Sequence, residues 1–120
     1  MKRDYDLVRR LLLKLESELG YEEGISSRQI QIDKSTVDQI NYHIDLLHDA
    51  GMIEGIKSVD AFGTQWLVER LTWNAHEFID STRNDTIWKR VKDKVIEKGG
   101  SVPFNVLQQF IGAVLQEQLK

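Results

Sequence analysis

Between Thr36 and Phe78 the chain passes through an amphipathic helix pattern, a glycine stop, two strand patterns around a turn, and the step Leu71-Thr72-Trp73 into a new helix. A core that must accept both the helical and the strand period from consecutive segments confines the chain to the α+β class. The details support each element. Lys34-Ser35-Thr36 supplies an N-cap, Val37, Ile40, Ile44 and Leu47 mark an inner helix face, and Ala50-Gly51 ends it. Met52 to Ser58 and Thr64 to Leu71 read as strands joined by Asp60-Ala61-Phe62-Gly63, a small antiparallel hairpin.

The flanks are mostly helical. From Asp4 to Leu19, Val8, Leu11, Leu12, Leu15 and Leu19 recur at helical spacing, while Leu7 and Leu13 lie off that stripe and predict a second buried face; Gly20 stops the helix. Ser27 to Asp33 sets Arg28, Ile30 and Ile32 against Gln29, Gln31 and Asp33, the alternation of a short half-buried strand that would pair with the hairpin. Thr72 caps a helix with Ala75, Phe78, Ile79 and Thr82 on one face, and Asp85 caps its continuation with Trp88, Val91 and Val95 inward. Gly99-Gly100 closes that helix, and Ser101-Val102-Pro103 opens a last one bearing Val106, Leu107, Phe110, Ile111, Val114 and Leu115. The C-terminal third is thus expected to be a helical hairpin.

A chain of 120 residues with no internal repeat and no long linker is expected to form one domain, 1–120, divided into a core over 1–82 and a helical extension over 83–120. With 41% hydrophobic residues and a single proline it is expected to be ordered. The absence of cysteine removes disulfides, thiolate metal sites and cysteine nucleophiles together. No run of apolar residues is long enough to span a membrane, and the charged start Met1-Lys2-Arg3-Asp4 does not read as a signal peptide, so the expected location is the cytoplasm.

The order of helix, hairpin and helix is that of the back half of a winged helix-turn-helix, where a helix that can enter a groove is followed by a β-hairpin wing. The fold expected is therefore a winged-helix-like domain with a small antiparallel sheet and a C-terminal helical hairpin. Five separated blocks carry a closer resemblance: Met1 to Arg9, Ile40 to Ile53, Arg70 to Asp80, Asp85-Thr86-Ile87-Trp88, and Gly99-Gly100-Ser101-Val102-Pro103. Together they resemble an uncharacterised winged-helix-like family of unknown function, frequent in bacterial phages, prophages and mobile elements. The resemblance implies fold and genomic setting, and supplies no binding residues to carry over. Two departures from winged-helix regulators stand out: Ala75 replaces the glycine common after the wing, and little chain separates Ile32 from the next helix, which leaves little room for a separate first helix of the helix-turn-helix unit.

Two functional readings follow, neither of them enzymatic. In the first, a small DNA-binding regulator, expected as a homodimer, contacts duplex DNA through Thr36, Gln39, Asn41 and Tyr42 of the central helix, with Lys57 and Arg70 of the hairpin on the phosphates. Basic clusters at Lys2, Arg3, Arg9, Arg10 and Lys14 and at Lys89, Arg90, Lys92, Lys94 and Lys98 would assist. In the second, a protein-interaction module encoded by a phage or mobile element binds or inhibits a host protein. The net charge of −3 and the acidic residues Asp38, Asp45 and Asp49 on the central helix favour the second reading. An acidic face on that helix beside exposed apolar residues is the arrangement that would distinguish it.

No residue set reads as catalytic, and no cofactor is implied. His43 and His48 are five positions apart, about 140° around a helix, so they do not share one metal; His76 beside Glu77 lacks a second histidine. Trp66, Trp73 and Trp88 are read as core anchors in preference to a stacking platform for single-stranded nucleic acid. Any apolar surface of the last helix left uncovered would serve a dimer or a partner.

Overall fold

The computed structural model describes residues 1–119. The chain divides into two compact units, Met1–Glu77 and Phe78–Lys120.

The first unit opens with α1, Tyr5–Glu18, whose start is fixed by the Asp4 carboxylate accepting from the N–H groups of Asp6 (2.9 Å) and Leu7 (3.2 Å). Leu7, Val8, Leu11, Leu12 and Leu15 are buried, so most of the expected stripe faces inward with Leu7 beside it, while Leu13 and Leu19 are only half-buried. Then come β1, Ile25–Ser26, a 3-10 turn at Ser27–Gln29, α2, Val37–Asp49, and the strands β2, Ile53–Asp60, and β3, Gly63–Leu71. The three strands form an antiparallel sheet in the order β1-β3-β2. Ile25, Trp66 and Val68 on the sheet meet the same interior as Ile40, Ile44 and Leu47 of α2.

Two glycines shape this unit. Gly51 has φ +69°, and the N–H of Met52 bonds back to the carbonyl of Leu47 at 2.9 Å, a left-handed helix stop that turns α2 into β2. Gly55 lies at a register shift in the hairpin, where an added Cβ would stand 2.5 Å from the carbonyl oxygen of Leu67.

The strand expected over 27–33 is not formed. Only Ile25 and Ser26 pair with β3, because the Ser26 hydroxyl accepts from the N–H of Arg28 (3.2 Å) while the Gln29 side chain accepts from the N–H of Ser26 (3.2 Å). That reciprocal cap closes a turn in place of a ladder. The Ser27 hydroxyl then accepts from the N–H of Trp66 at 3.0 Å, occupying a donor on β3 that a longer strand would have used. Val37, expected on the inner face of α2, is 67% exposed: it has the right angle but lies in the first turn, beyond Ile40.

The second unit contains the end of α3, Trp73–Thr82, followed by α4, Asp85–Glu97, and α5, Phe104–Gln118. Phe78, Ile79 and Thr82 are buried, as is Ala75 one turn earlier. The cap of α4 is Asn84 rather than Asp85, its side chain accepting from the N–H groups of Thr86 (2.9 Å) and Ile87 (3.1 Å), which places the helix start one residue earlier than expected. The expected helical hairpin is present: α4 and α5 pack together, Trp88 and Val91 are buried on one helix and Leu107, Ile111 and Val114 on the other. Phe78 packs edge-on to Trp88, with ring centroids 6.2 Å apart. Glu117 of α5 pairs with Arg90 of α4.

Trp73 departs from its expected role as a core anchor. It stands two positions before Ala75, about 200° away from the buried stripe, and is 78% exposed.

Candidate functional site

The six residues proposed to meet DNA lie on α2 and on the β2–β3 hairpin, but each is engaged within the protein or turned from solvent. The Thr36 hydroxyl accepts from the N–H of Gln39 (3.1 Å) and the Gln39 side chain accepts from the N–H of Thr36 (2.8 Å), a capping box that commits both side chains to the helix start. Asn41 is half-buried, its amide donating to the carbonyl of Thr64 (3.3 Å) at the hairpin. Tyr42 is half-buried and meets the His43 ring edge-on at 5.7 Å.

The hairpin cations are closed onto carboxylates. Lys57 Nζ lies 3.0 Å from Asp45 Oδ1, and the same oxygen accepts from the indole N–H of Trp66 at 2.7 Å, so one α2 carboxylate ties both strands. Arg70 grips Glu54 with two parallel bonds of 2.8 and 2.7 Å. Those bonds hold the Glu54 carboxyl below its ordinary range and raise the Arg70 guanidinium. The acidic residues Asp38 and Asp49 of α2 are exposed nearby in sequence.

A third pairing was not foreseen from sequence. Arg28 donates to both carboxylate oxygens of Asp60, at 2.9 and 2.7 Å, and to the carbonyl of Gly63 at 3.2 Å, pinning the hairpin turn to the 3-10 segment. The Arg28 bonds, joined by the N–H of Phe62, draw the Asp60 carboxyl down to about 2. Reading Arg28 as an alternating strand residue hid this role; its spacing from Ser26 and Gln29, which form the cap, was the available signal.

Beside these exposed ion pairs the hairpin also presents apolar side chains to solvent. Val59 is 75% exposed and Phe62, in the two-residue turn, 90% exposed; Ile56 and Leu67 are also exposed.

The basic N-terminal cluster does not present a common face. Arg9 is buried, Arg10 donates to the carbonyl of Asp33 (2.9 Å), Lys14 pairs with Glu18 (2.9 Å), and the Arg3 guanidinium lies over the Tyr5 ring. His43 is buried and fully used: its Nδ1 donates to the carbonyl of Gln39 (2.8 Å) and its Nε2 accepts from the N–H of Asp4 (2.9 Å), docking the start of α1 on α2. Among the described residues no group of three or more His, Cys, Asp or Glu side chains is placed to hold a metal ion, and no helix is long and apolar enough to cross a membrane.

Residues 2–101 match the model of a family described as "Hypothetical protein (DUF2513)". An "Uncharacterized protein" of Haemophilus influenzae is 32% identical over 120 residues, covering 99% of this chain and 99% of its own. No solved structure matches the chain significantly. The five sequence blocks thus lead to a family of unknown function, as expected, and the chain belongs to it: it is a member of the DUF2513 family.

Proposed function

We propose that this chain is a non-enzymatic binding protein of winged-helix-like build whose contact element is the β2–β3 hairpin and whose partner is another protein. The observation that carries this reading is the division of labour on the hairpin: Lys57 and Arg70 are engaged by Asp45 and Glu54, while Val59 and Phe62 stand in solvent with no packing role. Exposed aromatic and branched side chains on a short, anchored turn suit the desolvated centre of a protein interface. The acidic residues of α2 suit the same reading, since they repel phosphate. In the phage or mobile-element setting that the resemblance implies, the partner is a host protein in the cytoplasm.

One feature favours a second reading, a regulator that binds duplex DNA. The strand order β1-β3-β2, with α2 leading directly into the hairpin, supports a reading of α2 as a groove-entering helix and the hairpin as a wing. In that reading Thr36, Gln39, Asn41 and Tyr42 face bases and Lys57 and Arg70 meet phosphate. Opening exposed ion pairs costs little. The released Asp45 and Glu54 carboxylates would nonetheless remain beside the phosphates, and the single 3-10 turn between β1 and α2 stands where a first helix would be.

The test compares the wild-type protein with a Val59→Asp, Phe62→Asp variant in affinity capture from host extract, alongside binding to duplex fragments. Capture of one specific protein by the wild type alone, reconstituted with the purified partner, is the expected result. Equal recovery by both proteins would refute the hairpin as the contact element.

A further inference from the structure

The geometry points to the free edge of β2 as a self-pairing surface, on which a second copy of this chain adds its own β2 antiparallel to extend the sheet. In the order β1-β3-β2, β2 has a neighbour on one side only, and its residues from Ile56 to Asp60 are all exposed, so among the described residues no strand pairs with that side. An edge of this kind carries a row of backbone donors and acceptors awaiting partners. Natural edges are usually guarded by proline or by an outward lysine. Here β2 has no proline, and its one lysine, Lys57, is drawn onto Asp45 of α2.

The two-residue turn sets which groups are free. Asp60 pairs with Gly63, Ser58 with Gln65 and Ile56 with Leu67. The closing pair of such a hairpin exchanges both of its hydrogen bonds, so Asp60, Ser58 and Ile56 turn their backbone groups toward β3, and Gly55, Lys57 and Val59 turn theirs to the open edge.

The choice of a second copy over another extended chain rests on self-complementarity. Opposed residues of an antiparallel pair must share a face, so a two-fold axis passes through a residue, and four positions keep most of β2 paired. An axis at Gly55 sets Lys57 against the buried Ile53 and leaves Ser58 to Asp60 unpaired. An axis at Lys57 opposes like charges at two places, Lys57 against itself and Glu54 against Asp60. An axis at Ser58 sets Ile56 against Asp60, whose carboxylate is already held by Arg28. An axis at Ile56 opposes no like charges: Ile56 meets Ile56, Gly55 meets Lys57, and Ile53 meets Val59. It also extends the exposed cross-strand pair Ile56 and Leu67 into a continuous four-residue apolar row across two copies. In that register the two Ile56 residues form a non-hydrogen-bonded pair, with Cα atoms about 4.5 Å apart and side chains in contact.

This surface is centred on Ile56 at the strand edge and shares only Val59 with the proposed host contact, so variants at Ile56 test it apart from that reading. The chain has no cysteine, which makes a site-specific test clean. Single variants Ile56→Cys, Val59→Cys and Phe62→Cys are oxidised under mild conditions and resolved on a non-reducing gel. Sedimentation follows the wild type and Ile56→Lys, with near-ultraviolet circular dichroism of the tryptophans reporting that each variant is folded. The expected result is a wild-type species of twice the 13.9 kDa chain mass that Ile56→Lys returns to the single-chain mass, and disulfide formation fastest at position 56 although Val59 and Phe62 are more exposed. A wild-type chain that stays at 13.9 kDa at every concentration, a dimer unaffected by Ile56→Lys, or crosslinking no faster at 56 than at 62 would each overturn the assignment.

Discussion

The two ends of the β2–β3 hairpin differ in what their apolar side chains do. At the base, Ile53, Leu71, Trp66 and Val68 are buried, and Gly55 lets the two backbones approach more closely than any side chain would allow. At the tip, Val59 and Phe62 are exposed, yet the turn that carries them is anchored by Arg28 and Asp60. A base of this kind belongs to the fold. An anchored turn that presents apolar groups to water adds little apolar burial to the fold, and this contrast is the basis for proposing the tip, not the base, as the contact element.

The largest effect expected from breaking this contrast is at the base. Trp66→Ala removes a buried ring and the indole donor to Asp45, and should destabilise the protein by about 3–5 kcal/mol in urea or thermal unfolding. Gly55→Ala should follow at roughly 1–3 kcal/mol, because its new methyl cannot coexist with the Leu67 carbonyl without a backbone shift. At the tip, acid weakens the anchor: with the Asp60 carboxyl lowered from 3.8 to about 2, its contribution is complete above the ordinary value and is lost as pH falls through about 2. Arg28→Ala should return that carboxyl toward its ordinary range, read by NMR titration, while the base of the sheet stays folded. The smallest effect on stability belongs to Phe62→Ser, within about 0.5 kcal/mol of wild type, although it should abolish partner capture.

Much of this architecture was legible because local signals agreed. The caps at Thr36 and Thr72, the glycine stop at Gly51 and the buried stripes of α1, α2 and α5 all follow from short-range chemistry that the sequence displays directly. The strand over 27–33 was misread because alternation competes with a side-chain cap, and Ser26 with Gln29 won. Trp73 and Val37 show a different limit: apolar residues have an angle on a helix but no guarantee of a neighbour. The candidate site was the least legible part. Which cation meets which carboxylate depends on pairings across 12 to 32 positions of sequence, from Lys57 to Asp45 and from Arg28 to Asp60, and only the fold decides them.

The claim that the hairpin meets a protein and not phosphate is tested most directly by fluorescence anisotropy of the purified protein with duplex DNA fragments across a salt series. The account predicts no steeply salt-dependent binding even at low salt, and no change in Lys57→Gln or Arg70→Gln. Tight binding that falls sharply with salt, and is lost in those two variants, would contradict it and restore α2 and the hairpin as a DNA-reading surface.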